Sequence, residues 1–334
     1  MTIAFNPCDK RTPPIADCNR RPTIAIVLSS YNGKRYIREQ LDSLLAQTCL
    51  PNVINISDDC SVDGTYDYVS DYAREHFESG VSFDISKNSV NLGWQNNFRR
   101  LISECGTDYF FPCDQDDIWN HQKLEHMVEI MEAHPDLDVL ACSVEPIYEV
   151  GSQVTDAGSF EAESGQELFE RENFSPNFMY IRHPGCSYCV RTSFVKRILP
   201  YWEEGYPHDA VLWRFAVLEG GAGVINERLI KFRRHEGNAS DRRRQTRQDR
   251  IADVDYYIDF IEHAKRFAVD DFRCGAEAEK LLVDCRNWLD ARKNLLCTGS
   301  LMAAIECLKR RRFYKSNRGL VLDLSFAWLK GLKV

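Results

Sequence analysis

Residues 110–119 read FFPCDQDDIW, an apolar run that breaks at Pro112 and delivers Asp114, Asp116 and Asp117 within four positions, with Trp119 behind them. Carboxylates this close repel one another, and each loses hydration where the site is covered. Such a cluster is either a solvated turn or the seat of something positive. Two other polar groups follow apolar runs in the same way, Ser29-Ser-Tyr-Asn-Gly33 and Ser57-Asp-Asp-Cys-Ser-Val-Asp-Gly-Thr65. No Gly-x-Gly-x-x-Gly and no Gly-Lys-Ser/Thr occurs, which removes the usual dinucleotide and P-loop phosphate sites. What remains is carboxylate beside an aromatic, Tyr31, a combination suited to a metal ion and a flat heterocycle.

The elements that must hold these groups are legible in the hydrophobic pattern. Thr23–Ser29 is a continuous apolar run, the signature of a strand buried on both faces. Residues 34–47 then carry Ile37, Leu41, Leu44 and Leu45 at helical spacing. Strand, loop and helix recur at 53–78, and again from a short strand at 81–86 to a helix near 96–105, before a fourth strand at 108–112. This predicts an α/β fold with a mostly parallel central sheet flanked by helices. In such sheets ligands bind beyond the carboxyl ends of the strands, so the three polar groups line one crevice. Further on, helices are expected at 122–133, 192–199 and 209–218, and strands at 137–144, 185–191 and 223–232. Residues 151–178 read as a long polar loop or lid. From 251 onward only helices are expected, at 251–267, 276–296, 301–312 and 320–332. The chain thus divides into a leader (1–21), an α/β domain (22–240) and a C-terminal α-helical region (241–334).

Composition narrows the class. With 44% apolar and 28% charged residues in 334, the chain is an ordinary globular protein, and a net charge of −8 argues against nucleic acid as a partner. Charge is unevenly spread: residues 291–334 hold ten Lys/Arg against two Asp/Glu. Thirteen scattered cysteines without a signal-like segment point to reduced thiols and a cytoplasmic location. The Cys186-x-x-Cys189 pair lacks the partners of a zinc or redox site and is assigned to packing. No apolar run is long enough to span a membrane.

In order along residues 22–240, the segments SSYNG, ISDDCSVDGT, NLGWQNNF, CDQDDIW, HPGCSYCVR, HDAVLW and RRHEGN resemble the family 2 glycosyltransferases of the GT-A fold. The chain looks like bacterial members that build surface polysaccharides, rhamnosyltransferase-like ones in particular. The resemblance implies transfer of a sugar, rhamnose or a hexose, from a dTDP- or UDP-sugar to a saccharide or lipid-linked acceptor, with inversion. It implies a divalent cation, Mn²⁺ or Mg²⁺, on Asp116 with Asp114 or Asp117, and hard oxygen ligands suit those ions. Ser30, Tyr31 and Asn32 fall at the nucleotide-sugar site, where Tyr31 either stacks on the base or packs in the core. Asp58 and Asp59 face the nucleoside by the same resemblance and are a solvated turn or helix cap otherwise. Asn91 and Lys123 are further candidates for the nucleotide pocket, whereas Trp94 and Trp119 read as packing residues.

The resemblance makes Asp209 the base that accepts the acceptor hydroxyl's proton, with an N-cap role as the alternative. His208 shapes the sugar pocket, and Trp213 offers an acceptor sugar a flat face or else packs in the core. In Arg233-Arg-His-Glu-Gly-Asn238, relatives read Arg-x-His-Gly-x-Asn, and the interposed Glu236 blurs the register. His235 is a third metal ligand, a diphosphate contact or simply polar, and Arg234 a phosphate contact. The basic C-terminal segments either rest on an anionic inner-membrane surface, pack on the protein or form a homodimer. Two competing classes are a nucleotidylyltransferase, which would want a basic glycine-rich first loop, and a non-catalytic nucleotide-sugar-binding module.

Overall fold

The computed structural model describes residues 20–148, 169–235, 246–270 and 274–329. Three strand–helix rounds open it: β1 (Ile24–Ser30), α1 (Ile37–Leu45), β2 (Val53–Asp58), α2 (Thr65–Glu75), β3 (Ser82–Lys87), α3 (Trp94–Ser103) and β4 (Tyr109–Cys113). There follow β5 (Ile118–Trp119), α4 (Lys123–Ala133), β6 (Val139–Tyr148), β7 (Phe169–Arg171), β8 (Tyr188–Arg191), α5 (Thr192–Ile198), α6 (His208–Glu219) and β9 (Ala222–Arg234). Helices α7 (Arg247–Asp270), α8 (Ala276–Thr298), α9 (Leu301–Lys309) and α10 (Asn317–Trp328) complete the described chain.

The strands form one sheet in the order β3-β2-β1-β4-β8-β6-β9-β5, with β7 also paired to β9. Strands β3, β2, β1 and β4 are parallel, which aligns the carboxyl ends that carry the polar loops. The expected parallel sheet is therefore this half. In the other half β8 runs antiparallel to β4 and β6, β6 and β9 are parallel, and β5 and β7 are antiparallel to β9. Strand β7 lies within the stretch read from sequence as a lid; the rest of that stretch up to residue 168 is outside the described residues, as are 1–19 of the leader and Glu236 to Asn238.

Alternation along the buried strands builds a core on each face of the sheet. Ala25 and Val27 of β1 point to one face, Ile24, Ile26 and Leu28 to the other. The second face is closed by the apolar stripes of α1, α2 and α4. The first face is closed by α3, α5 and α6 and continues without a break into α7 to α10. Phe215 of α6 meets Phe260 and Phe267 of α7 with ring centroids 5.4 and 4.9 Å away.

One polar knot sits inside the helical region. Asp323 of α10 is completely buried and accepts from Arg250 Nε of α7 at 2.7 Å, Arg292 Nε of α8 at 2.8 Å and Tyr314 Oη at 2.7 Å. Burial alone would raise this carboxyl, but Arg292 and Arg250 outweigh it and hold Asp323 below the usual carboxylate range. Removing the acid leaves two buried guanidiniums uncompensated, a loss of about 3–5 kcal/mol. Asp323→Ala is thus expected to lower the melting temperature sharply, and a conservative Asp323→Asn to do so less; equal melting of Asp323→Ala and wild type in calorimetry would contradict the role given to this knot.

Candidate active site

A cavity of about 500 Å³ opens beyond the carboxyl ends of β1, β2 and β4. Its lining brings together Tyr31, Asp59, Asn91, Asp114, Asp116, His208, Asp209 and His235, all singled out from the sequence. Ser29, Gly93, Trp94, Phe98, Gln115, Pro184, Gly185 and Phe232 complete the wall.

The first loop is held in shape by its neighbours. Gln115 clamps Tyr31 through both backbone groups: the Tyr31 N–H donates to Oε1 at 2.9 Å and Nε2 donates to the Tyr31 carbonyl at 3.0 Å. Tyr31 itself is half exposed at the mouth, so the core alternative for it falls away. Asn32 adopts φ 48° and accepts the Val62 N–H at 3.0 Å, tying two loops together outside the cavity lining. Ser30 and Asp58 are likewise buried behind the wall: Ser30 Oγ donates to Asp58 at 3.2 Å, and Asp58 accepts the Ser61 N–H at 2.9 Å. Of the acidic pair only Asp59 reaches the cavity, its Oδ1 accepting from Asn88 and from the Leu92 N–H, both at 2.8 Å.

A network that the sequence did not reveal lies under this wall. Fully buried Asn97 donates to Ser29 Oγ at 2.8 Å and to the Ser57 carbonyl at 3.0 Å, while Arg100 reaches Ser57 Oγ and Asn88. It ties α3 to the ends of β1 and β2. The only sequence signal was polar residues on the sheet-facing side of an amphipathic helix.

The acidic cluster is layered. Asp114 and Asp116 face the cavity, and His235 Nε2 lies 2.7 Å from Asp116 Oδ2, its ring stacked on Tyr36 at 5.0 Å. Asp117 is completely buried beneath; Oδ1 accepts the Arg233 N–H at 3.0 Å and Oδ2 has no hydrogen-bond partner. Asp114, Asp117 and Cys186 bring their ligating atoms within 4.8 Å of one another. Burial, then the charges of Asp116 and Asp209, pushes Asp114 up to about 7. Burial, then the charges of Asp114 and Asp116, raises Asp117 well above its usual value. Burial also raises the Cys186 thiol, so it remains protonated and suits a hard cation poorly. Carboxylate oxygens, as Asp114, Asp116 and Asp117 offer, are the hard ligands that suit Mg²⁺ or Mn²⁺.

Three sequence candidates lie elsewhere. Lys123 is fully buried, its Nζ 3.1 Å from the Trp119 ring centroid and donating to the Cys186 carbonyl at 2.8 Å, so it braces the Cys186 turn and does not line the cavity. Trp213 packs in the core, stacked on Tyr188 at 5.6 Å, as its second reading held. Arg234 sits behind the wall with its guanidinium 4.6 Å above Phe232.

Opposite the acids, α6 begins at His208 and not at Asp209, so Asp209 is already inside the helix and makes no N-cap bond. One of its oxygens accepts the Ala210 N–H at 2.7 Å and its carboxylate lines the cavity. His208 is 4% exposed, lies on Phe98 at 4.0 Å, and neither ring nitrogen has a hydrogen-bond partner. Burial lowers it to about 4, so the ring is neutral at physiological pH. Gly185 makes this approach feasible: a Cβ there would come within 2.2 Å of His208 Nε2 and 3.1 Å of the Asp209 side chain.

Comparison with known proteins bears directly on this site. Residues 25–215, more than half of the chain, match the family described as Glycosyl transferase family 2. The chain belongs to that family. Uncharacterized proteins of Mycobacterium bovis and Mycobacterium tuberculosis are 34% identical over 132 residues, but the match spans only 37% of their length and 39% of this chain. A dTDP-rhamnosyl transferase, RfbG, of Shigella flexneri is 26% identical over 225 residues, 63% of this chain and 72% of its own. Among solved structures, TarS of S. aureus with UDP-GlcNAc has a TM-score of 0.57 at 16% identity, covering 90% of this chain and 81% of its own. A mannosyltransferase of Pyrobaculum calidifontis, solved with GDP-Man and Mn²⁺, has a TM-score of 0.51 at 16% identity, covering 93% and 89%. These folds agree with the α/β architecture described above.

The raised carboxyls give a signed prediction. A folded-state value of about 7 for Asp114 against 3.8 for the free group means that the folded chain binds an extra proton between those limits. Its contribution to stability therefore falls as pH rises through that window and is lowest above 7. Buried His208 and His183, both lowered to about 4, act with the opposite sign below about 6.5, so a variant must isolate the acid. Without metal, Asp114→Asn is expected to melt several degrees above wild type at pH 8 and close to it at pH 5. Added Mn²⁺ should stabilise wild type more at pH 8 than at pH 5, and the variant little at either, as followed by thermal denaturation.

Proposed function

We propose that this family 2 member is a glycosyltransferase that carries out an inverting, metal-dependent transfer of rhamnose or a hexose from a dTDP- or UDP-sugar. The acceptor is a saccharide or a lipid-linked saccharide in cell-surface polysaccharide biosynthesis, on the cytoplasmic side of the membrane. The observation that carries this reading is one cavity lined both by the acids of the β4 end, Asp114 and Asp116, and by a further carboxylate from α6, Asp209. The likeness to RfbG supports the choice of dTDP-rhamnose first, and UDP in the TarS complexes supports a uridine donor second.

In this reading Tyr31 provides a face for the base at the cavity mouth, while Asp59 and Asn91 present acceptors and an amide to the nucleoside. Asp114 and Asp116, with His235 beside them and Asp117 below, hold the cation; when bound, Mg²⁺ or Mn²⁺ offsets the charge of the departing diphosphate as a Lewis acid. Asp209 takes the proton of the acceptor hydroxyl. The oxygen then bonds to the anomeric carbon from the face opposite the leaving group, the bond to diphosphate breaks, and the configuration inverts. Neutral His208, buried with two unsatisfied nitrogens, donates to and accepts from sugar hydroxyls. Phe98, Trp94 and Pro184 limit water around the reacting carbon.

A nucleotidylyltransferase would release pyrophosphate and a binding module nothing, so the product alone separates the classes. Asp209→Asn tests the mechanism. It is expected to leave melting temperature and donor affinity near wild type while lowering transfer roughly 10²–10⁴-fold. A stable, donor-binding variant that transfers sugar at close to the wild-type rate would falsify the assignment of the base.

A further inference from the structure

Helix α9 is built inside out. Its inward residues are small, Ala303, Ala304 and Cys307, and its outward stripe is Leu301, Met302, Ile305 and Leu308, all large and exposed. A helix facing water ordinarily puts polar residues there. The stripe is extended by the end of α10: the Trp328 indole donates to the Gly299 carbonyl at 3.0 Å, placing Trp328 and Leu329 beside the start of α9, and both are more than half exposed. An indole with one polar edge engaged and its face open is the side chain favoured where apolar and aqueous phases meet.

Cations adjoin this patch. Arg311, Lys315 and Arg318 follow α9 and are exposed. Between residues 291 and 334 the only acids are Glu306 and Asp323. Asp323 is buried, and Glu306 is engaged by Lys309 and Arg310. Asp284 of α8 pairs with Arg310 and Arg312, and among the described residues no ion pair engages Arg311, Lys315 or Arg318, so apolar side chains here adjoin positive charge. A second copy of the same face would bring like charges together, whereas an anionic bilayer meets both features.

We propose that the outer face of α9, with the end of α10 and the Arg311–Arg318 cations, docks on an anionic lipid surface. The cationic turn is tied to the segment that leads into the cavity, because Tyr180 Oη donates to the Phe313 carbonyl at 2.9 Å and the chain reaches the cavity-lining Pro184 four residues later. Docking thus sets the cavity near the bilayer, where a lipid-linked acceptor is delivered. That purpose rests on the glycosyl-transfer reading above; the docking itself does not.

Point substitutions are the suitable probe, since truncation at Leu301 would remove buried Phe313, Tyr314, Asp323 and Phe326. The full chain is sedimented with vesicles of phosphatidylcholine alone or with about one-third phosphatidylglycerol added. Wild type is expected to bind the anionic vesicles, weakly the neutral ones, and less in high salt. Arg311→Ser/Lys315→Ser/Arg318→Ser should lower partitioning on the order of 100-fold, about fivefold per cation. Met302→Glu/Leu308→Glu should abolish it, and both variants should release nucleoside diphosphate from the donor at the wild-type rate. Wild type that ignores anionic vesicles overturns the proposal. If it is then a dimer that Met302→Glu/Leu308→Glu separates, the face is an interface between copies; if it is a monomer, the face is merely solvated. Vesicle binding without any release of nucleoside diphosphate would refute the catalytic reading and leave the docking standing.

Discussion

Four carboxylates, Asp114, Asp116, Asp117 and Asp209, face or underlie one covered cavity, and their mutual repulsion is the constraint to which the surrounding structure answers. Of the protein's described cations, Lys123 offsets only part of that repulsion at Asp114. Lys123, the nearest buried one, is turned away onto the Trp119 ring and the Cys186 carbonyl, and burial lowers its affinity for a proton. Arg233 spends its side chain on Glu39 and on the Asp116 backbone carbonyl. Burial and repulsion hold the Asp114 and Asp117 carboxyls above their usual range, and a cation in the cavity would lower them.

Keeping such a cluster in place requires rigid support from the structure around it. Parallel pairing of β1 with both β2 and β4 sets three polar loops at one edge. Asn97 and Arg100 then lock the β1 and β2 ends from below without adding charge to the cavity, and Gln115 fixes Tyr31 through its backbone. Across the cavity, the missing side chain at Gly185 lets α6 approach until His208 and Asp209 look into it. Proximity of this kind, held by groups that do not titrate near neutrality, is what a positioned general base needs.

Most of the frame was legible because buried strands and amphipathic helices leave periodic signals. β1, β2 and the helix α8 fall within a residue or two of where apolar spacing put them, and α1 begins three residues later than its spacing suggested. β5 and β7 were not legible: two or three residues carry no periodicity, and each is a strand only because long β9 offers an edge. Gly185–Ser187 was read as strand yet forms a 3-10 turn, since the turn is set by what it must avoid, His208 and Asp209. In the site, loop residues at strand ends were found by type and order. Which of two adjacent residues faces the cavity was not, because that depends on loop geometry. Hence Asp59 and not Asp58 lines it, and Asn32, whose positive φ turns it away, serves the loop instead.

The placement of the six tryptophans has an optical consequence. Trp119, Trp202, Trp213 and Trp288 are buried and far from changing solvent, so they contribute a steady background emission. Trp94 alone among the described tryptophans lines the cavity, in edge contact with His208 at 6.0 Å, and Trp328 alone stands half exposed on the outer surface. The intrinsic fluorescence of the unlabelled protein therefore carries two independent reporters, one for occupancy of the cavity and one for the environment of the C-terminal face, and single Trp→Phe replacements at 94 and 328 separate them.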